Sequence, residues 1–131
     1  MSPKNQASKD YQVAVTGQNY ETMIRDSTSA VTMKADGLWM PADTAVDAKW
    51  IQPGYGSPYV VPDEVRPDIF AYVRMGQHSE FGKYGQIIND PCVPIKNLDV
   101  IVSQPRGVSY FESLLAANGL GGAGQVVVVP D

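Results

Sequence analysis

The chain has 131 residues, with ten Lys or Arg against 14 Asp or Glu and a formal net charge of −4. Hydrophobic residues make up 44%, enough for a core, while charged residues reach 18% against a usual ~25%. These figures fit one domain and argue against a coiled coil, a helical bundle, a disordered polyelectrolyte and a dedicated nucleic-acid binder; binding a duplex, for one, needs several cations tracking phosphates along one face.

In chain order, residues 1–10 are polar, with Lys4 and Lys9 and no acid before Asp10. They read as a solvated tail or as an arm docking on an acidic partner. They hold no apolar stretch of the secretory type, so an intracellular origin is expected. Tyr11–Thr16 alternates Tyr11, Val13 and Val15 with Gln12, Ala14 and Thr16, a strand period. Residues 17–26 read as a helical turn or a loop. Ser29–Lys34 is a weaker strand. In Ala45–Gln52, Val46, Ala48 and Trp50 face opposite Asp47, Lys49 and Ile51.

The stretch 52–67 holds four prolines and Tyr55 and Tyr59, so it reads as an extended loop that presents Tyr55, Tyr59 and Val60 to its own domain or to a neighbour. Ile69–Met75 alternates most cleanly and is expected to be a strand. Gln86–Asn89 is a short one, and Leu98–Ser103 puts Leu98, Val100 and Val102 on one side. Residues 110–117 form a short helix, with Ser109 and Glu112 at capping-box spacing and Asn118-Gly119 as its stop. A glycine linker then leads to Val126, Val127, Val128 and Val129, whose branched side chains favour a strand. The expected fold is mainly β, a sandwich or barrel of about seven short strands with one short helix and extended arms.

Chemistry-bearing motifs are sparse. Cys92 and His78 stand alone, without a flanking signature, and read as a buried thiol and a surface imidazole. One Cys and one His cannot build a zinc site. Asp43 and Asp47, and Asp63, Glu64 and Asp68, lack calcium-loop spacing and read as a solvated acidic rim. The glycines at 119–124 follow a helix, the wrong order for phosphate binding. Trp39 and Trp50 read as core or as interface anchors. No catalytic residue, cofactor or metal is expected.

In its low charge, its single cysteine and its Gly, Pro, Asn and Gln content, the chain resembles small structural proteins of tailed-phage virions, of the capsid decoration or cement type. That resemblance implies a non-enzymatic subunit that binds a capsid protein and copies of itself, without specific nucleic acid or membrane, and resides in the virion. Lys4, Lys9, Tyr55, Tyr59, Val60 and Val126–Val129 are then its interface residues. A head–tail connector or tail component fits the same features. Readings of another class are a small β-barrel enzyme or ligand-binding domain with acids and tyrosines in a pocket, and an adaptor module.

Overall fold

A computed structural model describes residues 3–28, 30–39, 43–51 and 67–131, with backbone alone at 3–5 and 67–74. Among them lie three α-helices and six strands in two sheets. Helix α1 is Pro3–Thr16. Strands β1 (Thr22–Arg25) and β2 (Thr32–Ala35) form an antiparallel hairpin. After a bend at Asp36, β3 (Gly37–Trp39) pairs antiparallel with β4 (Thr44–Lys49). Helix α2 (Pro67–Ile88) crosses over to β5 (Asn97–Val102), which lies parallel to β4. A 3-10 turn (Pro105–Gly107) and α3 (Val108–Ala117) lead to β6 (Gly124–Val128), parallel to β5. The second sheet therefore runs β3-β4-β5-β6 and is open.

This mixed α/β architecture replaces the expected β-sandwich or barrel. The middle of the second sheet is parallel, and parallel neighbours need a crossover on a sheet face. Helix α2 supplies it, so Ile69–Met75, expected as a strand, belongs to a helix. Downstream of its first turns the period is helical, with Phe81, Tyr84, Ile87 and Ile88 buried. They pack with Phe111, Leu114 and Leu115 of α3 and with Leu98, Val100 and Val102 of β5 in the main core. Gln86–Asn89, the other expected strand of this region, is the end of α2 and the turn after it.

Residues 3–16, expected as an arm and a strand, are helix α1. Tyr11 and Val15, four apart, meet Val46 and Ile101 on the opposite sheet face, while Val13 is left exposed. The Tyr11 hydroxyl donates to the Val129 carbonyl at 2.6 Å, which ties α1 to the far end of the chain. The sheet thus has α1 on one face and α2 with α3 on the other.

Helix α3 begins earlier than expected, and its N-cap is Gly107 with no side-chain cap bond, so Ser109 does not cap it. Ser109 instead offers its carbonyl to the Ser113 hydroxyl. The expected stop holds, with Gly119 at φ +72°. Several glycines permit close approach, and two of them do so where a helix meets its neighbour. A Cβ on Gly85 would stand 2.8 Å from the Asn118 carbonyl oxygen, so α2 meets the end of α3 only because none is there. One on Gly37 would stand 2.9 Å from Thr16 Cβ, where α1 abuts the first residue after Asp36. Among the described residues no helix is long and apolar enough to cross a membrane.

Candidate active site

Strand β4 changes character along its length. Ala45 and Val46 are fully buried and apolar, and Asp47, at 3% exposure, is nearly as deep. Period two puts Asp47 and Lys49 on the side facing α2, and Val46 and Ala48 on the α1 side. The β3–β4 register pairs Gly37 with Val46, and continuing it one step sets Asp36 opposite Asp47. The chain bends at Asp36, and its Oδ2 accepts the Ala48 N–H at 2.7 Å. A hairpin thus brings together acids far apart in sequence.

Helix α2 closes the group from above the sheet. Lys49 Nζ donates to Glu80 Oε1 and Oε2 at 3.1 and 3.3 Å, and lies 3.2 Å from Asp47 Oδ1. The other Asp47 oxygen, Oδ2, is buried and has no hydrogen-bond partner. One turn beyond Glu80, the buried Tyr84 hydroxyl also has none. A cleft of about 480 Å³ opens over these residues, walled by Ser8 and Gln12 of α1, Glu21, Lys34, Trp50, and Gly76, Ser79 and Lys83 of α2.

The electrostatics follow from burying like charges together. Burial raises the Asp47 carboxyl above its ordinary range, against the pull of the Lys49 ammonium. Asp36 is raised by burial too, offset by the Ala48 N–H. Glu80 is pushed up to about 8, first by burial and then by Asp47. Tyr84 is raised well above the usual phenol value by burial and by Asp47. One ammonium does not compensate three acids, so the group holds a proton near neutrality or calls for a further cation.

Among the described residues no three His, Cys, Asp or Glu side chains surround one point, so there is no ready-made cage of the calcium or zinc kind. Two carboxylates, one on β4 and one at the bend opposite it, with one buried oxygen unpartnered, do fit magnesium. That ion commonly takes one or two carboxylates and fills its shell with water and substrate phosphate.

Among the described residues, none of the expected interface residues lines this cleft. Lys9 is exposed on α1, and Lys4 lies on the same helix. Tyr55, Tyr59 and Val60 lie outside the described residues, as do Asp63 and Glu64. Val126, Val127 and Val128 pair with Val100, Ile101 and Val102 of the same chain, and Val129 follows them, exposed. Cys92, expected buried, is exposed, and its N–H donates to Asp90 Oδ1. His78 lies on α2 against Asn118, and no contact joins it to Cys92. Trp39 is partly exposed, and half-buried Trp50 donates to Asp131 Oδ2 at 2.8 Å. Asp47, read as part of a solvated rim, is the most deeply buried acid of the cleft. The signal that could have found it is the same-face pair Asp47 and Lys49 in a strand whose neighbours are apolar.

A family model described as restriction endonuclease fold toxin 2 matches residues 7–121, which takes in the whole cleft. No curated protein and no solved structure matches the chain significantly. The family match overturns the resemblance to capsid decoration proteins and, with it, the non-enzymatic structural role, since it points to a nuclease toxin. Composition misled because low charge and abundant Gly and Pro are equally compatible with a small enzyme that gathers a handful of charged side chains in one cleft. With most of its length matched, the chain belongs to the family of restriction endonuclease fold toxins.

Proposed function

We propose that the protein is a metal-dependent nuclease that hydrolyses phosphodiester bonds in the cleft over β4. The observation that carries this reading is the set of buried Asp47 with partly buried Asp36 and Lys49, with Asp47 Oδ2 left unpartnered at the cleft floor. Family membership supports it. A nucleic-acid strand is then the substrate, although the chain has no basic run.

Asp36 and Asp47 would hold the cation. A divalent ion bound there supplies Lewis-acid stabilisation of the charge that develops on the phosphate. The remaining work falls to this chain's own side chains. Lys49 stands between Asp47 and Glu80, where its ammonium can orient a water and stabilise the phosphoryl oxygens. Glu80 fixes the ammonium by a two-oxygen contact and holds a proton near neutrality. Hydrolysis adds water across the P–O bond, and the departing oxygen leaves with a proton.

The test is cleavage of fluorescent DNA and RNA by the purified chain in Mg²⁺ and in EDTA. Activity should require the metal, and Lys49→Met should lower the rate by about 10²–10³-fold without loss of the folded circular dichroism signal. An intact, folded wild-type chain that cuts neither polymer in Mg²⁺ or Mn²⁺ contradicts the reading.

A further inference from the structure

Resting on the nuclease reading, we infer that the cleft grips a single polynucleotide strand rather than a duplex, with Lys34 and Lys83 bound to phosphates flanking the one held over Asp47. Three lysines and four acids line the cleft. Lys49 is committed to Asp47 and Glu80. Lys34 and Lys83 are exposed, and neither has an ion-pair partner among the described residues. They come from separate elements. Lys34 lies on β2 between buried Met33 and Ala35, so the alternation turns it away from the core. Lys83 lies on α2 next to the turn that carries Ser79 and Glu80.

Among the described residues of the cleft these two unpaired ammonium groups match two phosphates, far fewer than the roughly 6–10 contacts of a protein that tracks a duplex. The depth of the site agrees. Asp47 is 3% exposed at the floor, below walls from α1 and α2. A duplex keeps its backbone on the outside of a wide, stiff rod, whereas a lone strand can bend its phosphate down between the walls. The α2 wall is low where the strand would pass, with Ser79 and with Gly76, at which a Cβ would meet nothing. Sugar and base chemistry does not enter these contacts, so the shared ligand is the single-stranded phosphate backbone of DNA or RNA.

The experiment is fluorescence anisotropy with short labelled single strands of DNA and of RNA and with the matching DNA duplex. It uses full-length protein carrying Lys49→Met to stop turnover, in Mg²⁺, across a range of salt. Single strands should bind more tightly than the duplex. Adding Lys34→Ala and Lys83→Ala should weaken strand binding roughly 10-fold or more and flatten the log–log salt slope by about 1.4, at ~0.7 per phosphate contact. Arginine at both positions should restore binding. In the otherwise wild-type chain, the alanine pair should raise KM and leave kcat unchanged. Equal binding of duplex and strand, or an alanine pair with unchanged affinity and slope, overturns the inference. Tight lysine-dependent strand binding by a wild-type chain that never cuts would sustain it and sink the nuclease reading. Cleavage with a KM indifferent to both lysines would do the reverse.

Discussion

Strands β4 and β5 lie side by side, parallel and in register, yet they spend the same positions differently. Where β5 places Val100 and Val102, both fully buried, β4 places Asp47 and Lys49. Apolar side chains at such depth stabilise by about 1.5–3 kcal/mol each, whereas buried ions stabilise only when fully paired. Here the pairing is incomplete, because Asp47 Oδ2 has no partner. Strand β5 therefore holds the fold together, and the second half of β4 gives up stability to hold a reactive site. The difference also explains where the cleft opens. Val100 and Val102 lie under α2 and α3 in the main core, while Asp47 and Lys49 stay beneath the part of α2 that presents Glu80.

Several substitutions should sharpen that contrast. The largest effect is expected from giving β5 the character of β4. Val100→Asp buries an uncompensated carboxylate and should cost about 3–5 kcal/mol in a urea melt, enough to leave the chain largely unfolded. Next comes Gly85→Ala, which should cost about 1–3 kcal/mol by forcing the Asn118 carbonyl away from α2, also read by urea. Tyr11→Phe removes the bond to Val129 and should cost about 0.5–1.5 kcal/mol, loosening α1 and not the main core.

The pH dependence arises from Glu80. Its carboxyl titrates at about 8 in the fold against 4.5 outside it, so between those values the folded chain binds more protons than the unfolded one. Its contribution to stability is complete below 4.5 and is lost as the pH rises through 8. Melting temperatures in EDTA should fall across that window, Glu80→Gln should flatten the fall, and Mg²⁺ should stabilise more strongly at the alkaline end. The smallest effect is expected at the exposed thiol, where Cys92→Ser should stay within about 0.5 kcal/mol in thermal melts and leave cleavage unchanged.

The strands of the second sheet from β4 onward were legible in the sequence, as was α3, because branched apolar runs and a glycine stop act locally. The two long helices were not. In α1, Tyr11, Val13 and Val15 satisfy a strand period as well as Tyr11 and Val15 satisfy a helical one, and only the docking of Tyr11 on Val46 and Ile101 decides between them. In α2, Ile69–Met75 alternates like a strand, and Gly76, Gly82 and Gly85 lower the helical propensity of the remaining turns. The crossover needed by parallel β4 and β5 outweighs both. The site was half legible. The expected strand over 45–52 already put Asp47 and Lys49 on one face, but that face was taken for solvent because nothing local says that α2 covers it. Asp36 joins them only through the hairpin, and Glu80 only through the crossover.

The most direct test is the isosteric change Asp47→Asn, with cleavage and thermal stability measured on the same preparation at pH 8. It removes one negative charge from a buried acid cluster and keeps the shape. The account predicts that Mg²⁺-dependent cleavage falls by about 10²–10³-fold while the melting temperature in EDTA stays level or rises. A variant that cuts like the wild type, or one that loses its cooperative melt together with its activity, would contradict the claim that Asp47 is kept for chemistry at the expense of the fold.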